Sequence, residues 1–456
     1  MSLQASPHGQ WSSRWAFVMA ATGSAVGLGN IWKFPYIAGE NGGGAFVLLY
    51  LFCVVFITLP VLVAEVLLGY LGKRDPIHTM ADLAHQAGVS RNWGVIGLSG
   101  VIAGYLILSY YSVIAGWTMS YIGTAASGGF EGATADQIST LFGDLLASPW
   151  VLFGWHTLFM FITMGVVARG VEAGLEKALR VLMPGLFILL LALVGYAVTT
   201  PAFAEGAGFL LNPDFSKLTA GTVLVAMGQA FFTLSLGMGA IMIYGSYLPP
   251  GSSVARTSLV VALADTGVAL MAGLVIFPLV FTHGLEPGQG PGLIFVTLPN
   301  AFAQMPGGQL VGTAFFVLLL FAAWSSAISL IEPAVAWSVE RFGWSRAKAA
   351  MVGGIITWLT GILTVVSFNL AADFQPLGGG RTLFDLIDFL TSNLMLPIGG
   401  MLIAIFVGWR LAPALRREAN ADLPELVYNV WLWSIRVVAP LAVMAVMVTT
   451  ILEAVK

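Results

Sequence analysis

Residues 23–30 read GSAVGLGN and residues 233–239 read TLSLGMG, each inside an apolar segment of membrane-spanning length. Glycines and small polar residues at such points break a helix, and a break in hydrocarbon frees peptide groups that lipid cannot satisfy. Breaks of this kind persist only where protein buries them or where they line a site, and a pair opening two halves of a chain points to a transporter's substrate and ion site. An unwound span leaves one half-helix presenting N–H groups and a partial positive end, the other presenting free carbonyls and a partial negative end. The first end suits a carboxylate, the second Na+.

Working outward, 58% of the 456 residues are hydrophobic and 9% are charged, against about 25% charged in a soluble domain, so the chain is an integral membrane protein. A net charge of -3 with no basic tract among aromatics argues against a nucleic-acid partner. The single cysteine, Cys53, excludes an intrachain disulfide and reads as a packing residue. The first ten residues are polar and the apolar run after them is too long for a cleaved signal, so the first span is expected to stay in the protein. About 20 mostly apolar residues cross a bilayer, and that template places spans near 15–38, 44–70, 94–124, 149–168, 177–198, 218–247, 257–282, 308–341, 347–369, 383–409 and 428–453.

With the N-terminus cytoplasmic, fifteen of the 19 basic residues, Lys73, Arg74, Arg169 and Arg346 among them, gather at inner ends, while Glu131, Asp136, Glu205 and Glu286 fall outside. The positive-inside rule then orients the chain in a bacterial inner membrane with Lys456 on the outer side. The two broken spans, first and sixth, each open a set of five. An odd number of crossings inverts the second set, so the organisation expected is a cytoplasmic segment 1–14, a five-helix repeat 15–198, an inverted repeat 218–409 and an additional helix 428–453. The stretches 125–148 and 283–307 read as short connectors or lids.

Asp265 is the only acid in the apolar run 259–281, and a carboxylate at that depth takes a cation as its natural partner. Ser325 and Ser326 follow Leu320–Phe321–Ala322–Ala323–Trp324, where hydroxyls offer oxygen ligands, although membrane serines commonly bond back to a carbonyl one turn earlier. Gly100, Gly104 and His156 read as packing residues. An intramembrane hydrolase would need paired aspartates, an H-E-x-x-H helix or a Ser/His pair at depth, and none is present. No G-x-x-x-x-G-K-[ST] motif suggests ATP use. A sensor that binds without transporting would share the same site.

The stretches WSSRWAFVMAATGSAVGLGNIWKFPY at 11–36, ENGGGAF at 40–46, YYSVIAGW at 110–117 and GQAFFTLSLGMG at 228–239 carry a further signal. Through them the chain resembles the neurotransmitter:sodium symporter family, specifically its bacterial amino-acid transporters with the all-α LeuT fold. That resemblance implies two sodium sites. The first falls on the Ala25 carbonyl, Asn30, Thr233 and Asp265, completed by the substrate carboxylate; the second on Gly23, Val26, Ala322, Ser325 and Ser326. Hard oxygen ligands suit an alkali cation.

By the same resemblance, the N–H groups of Leu28 and Gly29 and the hydroxyl of Tyr111 would hold a carboxylate, carbonyls near Ser24, Phe232 and Thr233 an ammonium, and Ala25 also falls among the substrate-binding positions. Ile107, Phe232, Ser235, Met238, Ser326 and Leu330 would wall a pocket for a neutral, hydrophobic amino acid. Gly27 stands where monoamine carriers of the family have an aspartate, which favours an amino acid over a free amine. Lys33 replaces the family's outer-gate arginine and would face Asp388, with Gln229 nearby and Tyr111 and Phe232 as the lid. Inside, Glu340 and Tyr247 match, but His8 occupies the arginine position, and whether His8, Arg14 or another cation closes that side is left open by the sequence.

Chloride-dependent relatives place an anion near the positions of Tyr50, Gln229 and Thr233. Here Asp265 sits at that cluster, with Ala269 where some bacterial members carry a glutamate, so chloride-independent symport with Asp265 substituting for chloride is the expectation. Glu65 is a weaker candidate for that role.

Overall fold

A backbone that crosses hydrocarbon must satisfy its own hydrogen bonds, and the chain meets that requirement with helices. The computed structural model describes residues 7–286, 290–376 and 380–454, and of residues 220 and 450–454 the backbone alone. The outermost residues, including Lys456 and most of the segment before Pro7, lie outside the described residues. Among those described, nine continuous helices are long and apolar enough to cross a bilayer: Gly44–Gly72, Arg91–Ala126, Pro149–Val167, Val171–Val198, Val254–Thr282, Gly308–Phe342, Arg346–Ser367, Leu383–Arg410 and Glu425–Thr449. Two more are interrupted, one running from Arg14 to Glu40 and one from Ala220 to Ser246. In chain order these make eleven spans, with the first and sixth broken.

Several spans depart from regular α geometry. Wide turns with i→i+5 bonding interrupt α geometry at Gly29–Lys33, Val54–Thr58, Val171–Glu176, Phe389–Met395, Phe406–Arg410 and Ser434–Val438. The two broken spans sit at the centre. The first packs against the seventh and eighth, and the inner half of the sixth lies along the second. The eighth runs beside the third and is flanked by the fifth and ninth. The fourth, fifth and ninth form part of the periphery, and their exposed Trp150, Phe161, Val181, Ile188 and Ile355 are apolar because they meet lipid.

The connectors are more structured than their composition suggests. Within 125–148 the chain forms a helix, Ala135–Ala147, begun by a reciprocal cap between Thr134 and Gln137 and seated on buried Ile138, Phe142 and Leu145. In 283–307 it forms a wide turn, Leu293–Thr297, and a helix, Leu298–Gln304. Phe295 stacks on Phe142 at 5.3 Å between centroids, so the two connectors close over each other. Further short helices, Pro76–Gln86 and Phe203–Leu211, link spans two to three and five to six.

Gly104 shows why small residues recur in these spans. A Cβ there would stand 2.6 Å from the carbonyl oxygen of Leu330, so the third and eighth spans meet at backbone distance. Gly104→Val is expected to cost about 1–3 kcal/mol through overpacking, read as a lowered thermal unfolding midpoint of the purified protein. Gly123→Ala, in the same helix with open space around it, should leave the midpoint unchanged or raise it.

Candidate functional site

The first span begins at Arg14, where the Ser13 hydroxyl accepts from Ala16 N–H, and runs to Ala25. It then unwinds at Val26 and Gly27 and resumes through the wide turn Gly29–Lys33 into Phe34–Glu40. The sixth runs from Ala220 to Thr233, loses helical form over 234–239 and resumes at Ala240. Ser235, Gly237 and Gly239 there have φ of 53°, 77° and 76°, a region that disfavours a side chain. Ser235 is held in it by its hydroxyl, which donates to the Ser24 carbonyl at 2.9 Å.

The freed amides are met by side chains from elsewhere. Gly27 N–H donates to Asn30 Oδ1 at 2.9 Å, Leu28 N–H to the Tyr111 hydroxyl at 3.0 Å, and Gly237 N–H to Glu65 Oε2 at 2.9 Å. Tyr111 and Glu65 stand on the continuous third and second spans, so unbroken helices carry the partners for broken ones.

Beside the first break, Asn30 Nδ2 donates to Asp265 Oδ1 at 2.7 Å and to Thr233 Oγ1 at 2.9 Å, and Thr233 Oγ1 donates to Asp265 Oδ2 at 3.0 Å. Three of the four residues expected at the first cation site thus touch one another across the first, sixth and seventh spans. Asp265 is fully buried, and no basic side chain pairs with it among the described residues. Its charge is met only by an amide and a hydroxyl. A cation is the kind of partner such a carboxylate accepts, and taking one here would require the Asn30 amide to turn its oxygen where its nitrogen now points.

The second oxygen set also converges. Ser326 Oγ donates toward the carbonyls of Val26, Ser24 and Gly23 at 3.1, 3.2 and 3.3 Å, and Ser325 Oγ bonds back to the Ala322 carbonyl at 3.0 Å. Carbonyls from the break and hydroxyls from the eighth span therefore face one another without any nitrogen or sulfur ligand, the donor set of an alkali ion.

Between the two sets lies a cavity of about 20 Å3 lined by Ser24, Ala25, Gly27, Gly29, Ile107, Tyr111, Phe232, Ser235, Met238, Ser326 and Leu330. The walls close on each other here, and a Cβ at Gly27 would stand 2.5 Å from Ser326 Oγ and 2.6 Å from the Tyr111 hydroxyl. A side chain at position 27 has no room in this arrangement.

On the outer side, the latch expected between Lys33 and Asp388 is not formed. Lys33 Nζ lies 4.3 Å from the centroid of the Phe232 ring, and Asp388 Oδ1 accepts from Tyr110 at 3.0 Å and Ser392 at 2.8 Å. A lysine head is a single point charge that finds the ring face, while two hydroxyls already satisfy the carboxylate. Lys33 and Gln229 line a second cavity of about 370 Å3 with Arg381 and Phe389, and Gln229 Nε2 donates to the Gly29 carbonyl at 2.9 Å.

On the inner side, Glu340 is held by His8 Nε2 at 2.8 Å and Arg74 Nε at 2.7 Å, and its Oε1 also accepts from Asp75 N–H at 2.7 Å. Arg14 is exposed and makes no ion pair among the described residues. Tyr247 donates not to Glu340 but to Glu332 Oε1 at 2.6 Å, and Glu332 is paired with Arg346. Sequence reasoning missed Arg74, Asp75, His78, Glu332 and Arg346. The one available signal was Glu332, an acid inside an apolar run. Asp75 is buried, and its carboxyl is pushed above the usual carboxylate range by that burial and by the nearby Glu340 charge, against the pull of His78. His156, by contrast, sits between the Ser112 hydroxyl at 2.9 Å and the Trp358 carbonyl at 3.1 Å; a Ser/His pair therefore does lie at depth, against the sequence reading, but both ring nitrogens are occupied, as in a satisfied packing histidine.

This geometry has relatives. The model of the sodium:neurotransmitter symporter family matches residues 8–131 and 143–456. The uncharacterized sodium-dependent transporter YhdH of Bacillus subtilis is 39% identical over 97% of this chain and 97% of its own. An uncharacterized sodium-dependent transporter of Haemophilus influenzae is 33% identical over 97% and 98%. Among solved structures, MhsT in complex with L-phenylalanine superposes with a TM-score of 0.90 at 43% identity, covering 96% of this chain and 99% of that one.

The Glu65 to Gly237 bond yields a direct test. Glu65→Leu strands a buried N–H and is expected to cost about 1–3 kcal/mol, whereas Glu65→Gln keeps an acceptor and should retain most of the stability. Thermal unfolding of both variants in NaCl measures the difference.

Proposed function

Because the chain belongs to the sodium:neurotransmitter symporter family and has the LeuT fold of its structural neighbour, we propose that it is a Na+-coupled symporter importing a neutral, hydrophobic amino acid by alternating access. It is a multi-pass membrane protein whose family and structural neighbours are transporters, not enzymes. The observation that carries the proposal is the adjacency of an anion-seeking pair, Leu28 N–H with the Tyr111 hydroxyl, to the cation-seeking group of Asn30, Thr233 and Asp265. A zwitterion bridges them: its carboxylate takes both donors and completes the shell of one Na+, and its ammonium meets carbonyls near Ser24, Phe232 and Thr233. Two sodium ions bind, the second among Gly23, Val26, Ala322, Ser325 and Ser326.

The apolar wall of Ile107, Phe232, Met238 and Leu330, and the L-phenylalanine held by MhsT, favour an aromatic or large aliphatic side chain. Gly27 supports the same class, since the carboxylate that relatives carrying free amines supply there has no space here. Repeats 15–198 and 218–409 enclose the site, residues 428–453 lie outside them, and the N-terminus is cytoplasmic in a bacterial inner membrane. One Na+ entering with the membrane potential supplies ~2.3 kcal/mol per 100 mV. Lys33 and Asp388 close the outer side in another state of the cycle, and Glu340 with His8 and Arg74 closes the inner side.

Uptake into proteoliposomes is expected with an inward Na+ gradient and not with K+. In a thermal-shift series of amino acids, phenylalanine and large aliphatic residues should stabilise the protein in NaCl but not in KCl; stabilisation without uptake would mark a sensor instead. Transport is independent of chloride because Asp265 supplies the fixed negative charge near the buried hydroxyl of Tyr50. Asp265→Ser should create a chloride requirement in the same uptake assay, and a folded variant indifferent to chloride would contradict that role.

A further inference from the structure

The cytoplasmic end of the eighth span holds a group of side chains that includes the inner-gate residues His8 and Glu340 and extends beyond them to Asp75 and His78. Asp75, His78 and Glu340 each offer a ligand atom, and these atoms lie within 4.8 Å of one another. His78 Nδ1 stands 3.8 Å from Glu340 Oε2, and His8 Nε2 is 2.8 Å from Glu340 Oε1. The side chains of His8 and Glu340 are 2% and 6% exposed, and that of His78 is 26% exposed, which leaves an entry path. We propose that Asp75, His78 and Glu340 form a binding site for a divalent transition-metal ion of the Zn2+ type, which draws in His8, now outside that cluster on Glu340 Oε1, as fourth ligand and clamps the cytoplasmic end of the protein shut.

Two imidazoles and two carboxylates are a donor set that Zn2+ accepts in tetrahedral geometry, whereas Mg2+ and Ca2+ need six or more oxygens. Ligand atoms around a tetrahedral Zn2+ are about 3.3 Å apart, so the His78 to Glu340 separation needs to shrink by only a fraction of an ångström. The carboxylates are already oriented. Asp75 Oδ1 accepts from Ile77 and His78 N–H, which turns Oδ2 to His78 Nδ1, and Asp75 N–H in turn holds Glu340. Such backbone bonds fix ligands for a metal. The competitor is Arg74, whose guanidinium holds Glu340 Oε2. It also reaches Asp82 at 2.7 Å, so it has a second partner to keep when the ion enters.

The four residues come from three segments: the stretch before the first span, the start of Pro76–Gln86, and the end of the eighth span. An ion bound to all three ties together the parts that must separate for release to the cytoplasm. The site itself stands on geometry alone; its effect on uptake rests on the symport reading above.

Titration of the purified full-length protein with ZnCl2 by calorimetry is expected to give one ion per chain. Co2+ in its place should give the visible absorption of tetrahedral coordination. His78→Gln and His8→Gln should each weaken binding at least about ten-fold, with the NaCl-dependent thermal shift of each variant reporting that it is folded. In proteoliposomes, Zn2+ on the cytoplasmic face should slow uptake by the wild type and not by His78→Gln. Failure to bind, binding unchanged in both folded variants, or a six-coordinate Co2+ spectrum overturns the site. Binding with uptake unaltered overturns the clamp. If no Na+-driven uptake is found at all, the symport reading fails while the isotherm still decides the site.

Discussion

Peptide groups released in the middle of a membrane have nowhere to turn but to the protein itself, and this requirement organises the whole molecule. The first and sixth spans give up helical bonding, so the second, third and eighth must bring Glu65, Tyr111 and Ser326 to the released amides and carbonyls. That is why the broken spans lie innermost and the unbroken ones surround them. It is also why Gly104 is bare, since the third span can present Tyr111 at the break only if it approaches the eighth at backbone distance.

Buried acids then divide by what answers their charge. Glu65 accepts from an amide of the sixth-span break, and Glu332 is answered by Tyr247 and Arg346. Glu340 is answered by His8 and Arg74. Asp265 and Glu65 meet only neutral donors, and of the two it is Asp265 that sits beside the first-span break with Asn30 and Thr233. Glu332 and Glu340 thus take basic partners at one end of the bundle, whereas the carboxylate beside the first-span break has none among the described residues. A buried carboxylate in that condition gains more from an arriving cation than one already paired with a guanidinium or imidazole.

Much of this was legible in the sequence for a physical reason: hydrocarbon makes glycine clusters and lone acids conspicuous. GSAVGLGN, TLSLGMG and Asp265 stand out against their apolar surroundings, and the structure brings Asn30, Thr233 and Asp265 together. The connectors were harder. Ala135–Ala147 is amphipathic and short, and composition rich in Gly and Ser around it hides the Thr134–Gln137 cap. Partner choice among charged groups was legible only in part, since His8 stood as one of the candidate cations on the side of Glu340 and does pair with it. Lys33 could be placed outside, but whether its head would find Asp388 or the face of Phe232 depends on distances of a few ångströms between spans. Lys73–Arg74–Asp75 reads as ordinary inner-face charge until the eighth span delivers Glu340 to it.

The wide turn at Gly29–Lys33 limits how far any periodic pattern can be carried along the first span. An i→i+5 turn takes in one residue more than an α turn, and one residue corresponds to about 100° around a helix axis. A wheel drawn from Arg14–Ala25 therefore assigns every side chain beyond the turn to the wrong face. Deleting a single residue between Gly29 and Lys33 would let the turn close as an α turn and leave Lys33 on the face it now shares with Phe232, so homologous chains that differ by one residue here can still present a cation at this point.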